Sequence, residues 1–164
     1  MIRLFLKKTE KSKPNFLNRI IIGFAYGLIQ SRDLILKENF GFTPQDAMDF
    51  ISIGIGREIV KELLAQNVVN KNDDDEKLIG KLTDVMRLAE ELDIRIVNEK
   101  IILVVQKCLI CPKRIGGYDL EGFTACPIGG IIVGALTYVR GLYPEITKNK
   151  LEIAEICHIQ LEYN

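Results

Sequence analysis

Three of the chain's four cysteines fall within KCLICPKRIGGYDLEGFTACPIGG, residues 107–130. Cys108 and Cys111 form a C-x2-C pair at the end of an apolar run. Cys126 follows after fourteen residues and Cys157 after thirty more. A short turn between two thiols can present both to one ion, and tetrahedral Zn²⁺ accepts four thiolates at about 2.3 Å. Cys108, Cys111, Cys126 and Cys157 are therefore the candidate ligands of a structural metal. Such an ion would join three segments that otherwise lose conformational freedom separately. Four thiolates normally leave zinc no open position, so the expected role is ordering rather than catalysis. Two other readings stay open. Lone cysteines often serve as small buried hydrophobes, and C-x2-C can be a redox pair, although that pair belongs at a helix start in a βαβ setting. The spacing also lacks the second close pair of a zinc ribbon.

Other chemistry-bearing residues point less sharply. His158 is the only histidine, and period-two alternation puts it on the strand face opposite Cys157. It has no identifiable serine and acid partners for nucleophilic catalysis. Glu155 shares the phase of Cys157, and Asp119 and Glu121 precede a helix whose start also accounts for their charge. The acidic run NKNDDDEK lacks the spaced ligands and closing glutamate of an EF-hand and reads as a helix start. Neither GxGxxG nor GxxxxGK[ST] occurs, so nucleotide binding has no sequence support. Phe24, Tyr26, Phe40, Phe42, Phe50, Phe123 and Tyr138 either fill a core or line an apolar cavity.

The elements that must position these residues fit one domain spanning 1–164, with 48% hydrophobic residues and no biased tract. Lysine plus arginine equals aspartate plus glutamate at 22 each, which gives no support to direct nucleic-acid binding. FLNRIIIGFAYGLI carries Arg19 and is shorter than the roughly 20 residues of a spanning helix. No membrane insertion is expected, no signal peptide is apparent, and a cytoplasmic setting follows. In a reducing compartment four cysteines are expected as thiols or ligands rather than disulfides. The opening LKKTEKSKPN reads as a solvated tether or first strand.

Leu17, Ile20, Ile21, Phe24 and Leu28 recur at helical spacing on one side of residues 15–38. Thr43 can cap a second helix whose first turn contains Pro44. Gly54 and Gly56 within it, like Gly130 and Gly134 later, permit close approach of another backbone. A third helix begins after the acidic run, with Leu78, Leu82, Val85, Ala89 and Leu92 as a continuous stripe. DIRIVNEKIILVVQKC predicts a β-hairpin turning near Asn98-Glu99-Lys100. A fourth helix covers Cys126 to Arg140, with Ile128, Ile131, Ile132, Ala135, Leu136 and Val139 on its broad apolar face. Two more strands follow, and Leu151, Ile153, Cys157, Ile159, Leu161 and Tyr163 share one face of the last. Three helices, a hairpin, a helix and a second hairpin imply an α+β fold: a helical layer packed on a mainly antiparallel sheet.

ISIGIGREIVKELL, IILVVQKCLIC, ACPIGGIIVGALTYVRGLYPEI and EICHIQLEY together resemble the 4-vinyl reductase small-molecule-binding domain, in its stand-alone archaeal form. The resemblance is clearest over residues 50–163. It implies a fold similar to the ligand-binding domains of nitric-oxide signalling and Golgi-transport proteins. It further implies a structural zinc beside a pocket for a hydrophobic or aromatic small molecule, in a likeness to aromatic-sensing regulators. Their first and last zinc cysteines correspond to Cys126 and Cys157, and an intervening acidic ligand falls near Glu145. Lys148 stands where those regulators have a further cysteine, and Cys108 and Cys111 can take its place. The expected function is binding or sensing by a homodimer rather than enzyme action. A reductase acting on a vinyl-tetrapyrrole or aromatic substrate is one alternative; a structural interaction domain related to Golgi tethering subunits is another.

Overall fold

The computed structural model describes residues 21, 24, 43–111, 126–151 and 156–163. Its first complete helix, α1 (Pro44–Ala65), begins with a reciprocal cap. The Asp46 N–H donates to Thr43 Oγ1 at 3.2 Å, and the Thr43 N–H donates to the Asp46 carboxylate at 2.7 Å. Pro44 opens the helix, where its missing N–H costs nothing. Met48, Ser52, Gly56, Val60 and Leu63 then form the buried face at spacings of four and three. Of the expected earlier helix, Ile21 and Phe24 are described and both are helical. Ile21 is buried while Phe24 is mostly exposed, so these two do not share an inward side. The rest of that helix, and the proposed N-terminal tether, lie outside the described residues.

Helix α2 (Asp75–Met86) starts on Asp74, whose side chain accepts from the Lys77 N–H at 2.8 Å. Asp75 and Glu76 add negative charge beside its unpaired amide donors. The expected stripe through Val85, Ala89 and Leu92 is corrected here. Leu78, Ile79, Leu82, Thr83 and Met86 are the buried residues, whereas Val85 is exposed. Arg87 takes a left-handed conformation with φ of 52° and ends the helix, so Ala89 and Leu92 belong to the following strand. Five inward positions on α2 suffice to cover its core contact without the longer run.

Strand β1 (Ala89–Val97) turns through Asn98 and Glu99, both at positive φ, into β2 (Lys100–Cys108). Paired positive-φ residues suit a two-residue hairpin because their twist matches that of the strands. Helix α3 (Ile128–Arg140) precedes β3 (Glu145–Leu151) and β4 (Cys157–Glu162). The sheet order is β1-β2-β4-β3, with every neighbouring pair antiparallel. A register irregularity between Ile146 and Lys148 interrupts β3. Leu151, expected in the same strand as Cys157, instead lies across the ladder from it as the last residue of β3. Ile153 and Glu155 lie outside the described residues.

The inner sheet face, with Ile101, Leu103, Val105, Ile159 and Leu161, meets Leu78, Leu82, Ile131, Ile132 and Leu136 from the helices. The molecule is thus an α+β fold with helices packed on an antiparallel sheet. Helices α1 and α3 run parallel: Gly130 lies against Ser52, Gly134 against Ile53, and Tyr138 against Arg57 and Lys61. A Cβ on Gly130 or Gly134 would stand 2.0 Å from atoms of α1, which only glycine permits. Gly56 makes the same contact from the other side, but Gly54 meets nothing within 4 Å. The expectation of close approach therefore holds for Gly56, Gly130 and Gly134 and is corrected for Gly54. The parallel arrangement brings the amino ends of α1 and α3 to the same end of the domain.

Candidate thiol site

Cys108 is the last residue of β2, paired with Ala89, and its side chain is buried. Simple alternation from the buried Ile101, Leu103 and Val105 would turn residue 107 inward and Cys108 outward. Lys107 adopts φ of 50° and breaks that alternation, leaving Lys107 exposed and Cys108 in the core. Cys111, three residues on, is partly buried against the same core. Cys157 opens β4, opposite Val105 of β2 and Leu151 of β3, and faces inward. The alternation places His158 on the other face, as expected.

Cys126 lies just before α3, in neither helix nor strand. What holds it is a side chain 81 positions earlier. The Cys126 N–H donates to Gln45 Oε1 at 2.8 Å, and the Cys126 carbonyl accepts from Gln45 Nε2 at 2.9 Å. Gln45 Nε2 also donates to Asp49 Oδ1 at 2.7 Å. Sequence reasoning missed Gln45 entirely: a polar residue in the first turn of a helix looks solvent-directed until the tertiary fold sets Cys126 against it. Asp49 sits behind it, and burial pushes its carboxyl up to about 6, against the lowering effect of the Gln45 hydrogen bond.

The four thiols act on one another. Burial pushes the Cys126 thiol well above its ordinary range; Cys108 and Cys157 add to this, as does Cys111, while a backbone hydrogen bond from Ile128 works the other way. Cys157 is pushed up to about 11 by burial and by Cys111. In the metal-free protein these two sulfurs are therefore neutral at physiological pH and poor nucleophiles. A divalent cation would invert that logic, stabilising thiolates that burial first, and mutual repulsion second, otherwise disfavour. Thiolate sulfur is a ligand type that zinc accepts. Among the described residues, however, no three His, Cys, Asp or Glu side chains form a ready-made cage. Tetrahedral ligation requires the cysteine-bearing segments to draw closer together.

Glu145 does not accompany the cysteines. It begins β3 opposite Glu162, whereas Cys157 pairs with the other end of that strand at Leu151. Five residues along β4 separate the two positions, about 17 Å at the usual strand rise. The acidic ligand implied at Glu145 is thus at the far end of the sheet. Asp119, Glu121 and Phe123 lie outside the described residues, as do Tyr26, Phe40 and Phe42. Phe24, Phe50 and Tyr138 are exposed rather than lining an interior cavity.

A second polar cluster occupies the opposite, C-terminal end of α3. Arg140 Nε donates to Asp75 Oδ1 at 2.8 Å, and its other nitrogens donate to the Lys71 and Asp73 carbonyls. The Tyr163 hydroxyl donates to Asp75 Oδ2 at 3.1 Å. Asp73 accepts from Lys77 Nζ at 2.7 Å, Lys81 Nζ at 2.8 Å and the Asn70 N–H at 2.9 Å. The acidic run is therefore taken up by helix capping and cation pairing. No helix of the described residues is long and apolar enough to cross a membrane.

In fold, the chain is similar to a trafficking protein particle complex subunit 3 from Naegleria fowleri, solved covalently bound to palmitic acid. The TM-score is 0.55 at 13% identity, over 87% of this chain and 96% of that one. In sequence it is 29% identical to protein MJ0207 of Methanocaldococcus jannaschii, described as uncharacterized, over 97% of this chain and 99% of that protein. A second protein of that archaeon, MJ1342, also described as uncharacterized, is 30% identical over 60% of this chain and 78% of its own length. None of these carries a 4-vinyl reductase description, and that resemblance stays an expectation. The MJ0207 family model matches residues 16–163, nearly the whole chain, and this protein belongs to the MJ0207 family.

Proposed function

We propose that this protein is a non-enzymatic interaction domain of the cytoplasm that works as a homodimer, with its four cysteines holding a structural zinc. The carrying observation is the fold likeness, over almost the full length of both chains, to a subunit of a trafficking complex. The surface supports the same reading. Phe50 and Ile51 on α1, and Leu142 and Tyr143 after α3, expose apolar side chains; Phe50 is 67% exposed and Leu142 61%. Phe50 and Ile51 lie near the amino end of the paired helices and Leu142 and Tyr143 beyond the carboxyl end, and the adjacent Phe50 and Ile51 are the candidate association surface. The zinc would fasten the sheet at Cys108 and Cys157 to the start of α3 at Cys126, holding the helical layer in a fixed orientation.

Light scattering on the purified chain, with Phe50→Glu beside the wild type, tests the association. The expected outcome is a wild-type dimer and a monomeric, folded variant. A wild type that stays monomeric throughout the micromolar range would overturn the dimer. Elemental analysis with single Cys→Ser variants at 108, 111, 126 and 157 tests the metal. One zinc per chain, lost in each variant, is expected; wild-type protein that folds metal-free in zinc-replete medium would sink that part.

A second reading is favoured by one observation: the trafficking subunit of similar fold was solved with palmitic acid attached. That protein therefore carries an apolar chain by a covalent bond. On this reading the present domain binds a hydrophobic small molecule and changes its association accordingly. Organic extraction of the purified protein followed by mass spectrometry, with a thermal-shift series of fatty acids and aromatics, separates the two. No extracted ligand and no shift would leave the pure interaction domain.

A further inference from the structure

We infer that α1 carries both halves of its own docking contact: Phe50 of each chain seats on Gly54 of a second copy, the two α1 helices crossing antiparallel. The inference rests on the dimer reading above and gives it a geometry. Gly54 lies inside a helix of 22 residues, where glycine costs about 1 kcal/mol relative to alanine. Gly56, two positions on, must be glycine because the Ile131 carbonyl stands against it. No such contact holds Gly54: it is exposed, and a Cβ there would meet nothing within 4 Å. Its missing side chain leaves a hollow on the outer surface of α1.

Phe50, Ile51 and Gly54 share the outward side of α1, opposite the buried Met48, Ser52 and Gly56. Phe50, 67% exposed, stands one turn before the hollow. A face with a knob and a seat four residues apart complements a second copy of itself. With a twofold axis midway between them, each Phe50 meets the partner's Gly54 and the contact forms twice. Charge agrees with that register. The same axis brings Asp46 level with the partner's Arg57, to about one residue's rise of ~1.5 Å, both on the Phe50 side of the face. Asp46 uses Oδ2 for the Thr43 cap, which leaves Oδ1 to accept. Arg57 is exposed over the Tyr138 ring at 5.9 Å, and no carboxylate pairs with it among the described residues. Pairs of this kind fix register and orientation more than affinity. A parallel crossing would instead set Arg57 against Arg57 and leave both hollows unfilled.

The test is sedimentation equilibrium of the full chain from nanomolar to high micromolar concentration. The proteins compared are wild type, Gly54→Leu, Arg57→Glu, and Arg57→Glu combined with Asp46→Lys. A Cβ at position 54 has room and leucine is a strong helix former, so Gly54→Leu folds. Urea unfolding below the dimer's dissociation constant should show it at least as stable as wild type. Its dissociation constant should nonetheless rise about tenfold or more, because the seat is filled. Arg57→Glu should weaken the dimer about three- to tenfold, and adding Asp46→Lys should restore most of the loss. A wild type that stays monomeric overturns the dimer reading and this inference with it. A wild-type dimer that Gly54→Leu leaves unchanged overturns the inference alone and puts the interface elsewhere. A dimer weakened by Gly54→Leu but not rescued by the charge exchange overturns the antiparallel register.

Discussion

Gly56 and Ile131 meet backbone to backbone: a Cβ added to Gly56 would stand 1.9 Å from the Ile131 carbonyl oxygen. With Gly130 and Gly134 answering from α3, two parallel helices cross where no side chain intervenes. Gly56→Ala forces the helices apart and is expected to cost about 3 kcal/mol or more, or to prevent folding. Gly54→Ala, two residues away, meets nothing within 4 Å. It is expected to gain about 0.5–1 kcal/mol, since alanine loses less backbone entropy in a helix. Urea denaturation followed by far-UV circular dichroism distinguishes the pair, and similar losses in both would refute the contact.

Arg140 ties the end of α3 to the start of α2. Its guanidinium binds Asp75 and two carbonyls, and both partners of the ion pair are largely shielded from water. Arg140→Ala leaves three acceptors short of a charged donor, and a loss of about 2–4 kcal/mol is expected. Arg140→Lys should recover little, because one ammonium cannot reproduce the fork. A double-mutant cycle with Asp75→Ala measures the coupling, and a coupling near zero would count against the arrangement.

Asp49 makes stability fall as pH rises. Burial holds its folded carboxyl near 6, above the ordinary carboxylate range, so folding takes up a proton in that interval. The contribution is complete below about pH 4 and disappears as pH climbs through 6. Asp49→Asn keeps an oxygen for Gln45 and removes the charge. In metal-free protein its melting temperature relative to wild type should be higher at pH 8 than at pH 4.5. A difference independent of pH would show that the carboxyl is not desolvated.

Asp73 gives the opposite dependence. Hydrogen bonds from Lys77 and Lys81, then from the Asn70 N–H, hold its carboxyl far below the usual range. Its contribution is present at neutral pH and declines as pH falls below about 4, the unfolded value. Wild type should exceed Asp73→Asn in melting temperature at pH 7, with the gap narrowing at pH 2.5. A gap that widens on acidification would contradict this.

Much of the framework was legible from local chemistry. Thr43-Pro44 marked the start of α1, and Asn98-Glu99 marked a hairpin turn that the structure closes with two positive-φ residues. Alternation after Cys157 correctly faced Ile159 and Leu161 inward. Misreadings arose where periodicity ran on past a break. Val85 and Ala89 continue a helical spacing from Leu78 and Leu82, but Arg87 terminates the helix between them. Leu151 keeps the phase of Cys157 yet belongs to the neighbouring strand.

What this sequence determined by itself is which residues prefer caps, turns and apolar faces, since those preferences act over a few positions along the chain. It also singled out four thiols whose type suits a metal. Only the tertiary structure decided that Lys107 turns Cys108 inward, that Glu145 stands at the far end of the sheet, and that Gln45 grips Cys126. The reason is physical: register and long-range hydrogen bonding arise from packing α1 against α3 and both against the sheet. Contacts spanning 81 residues leave no local pattern to read.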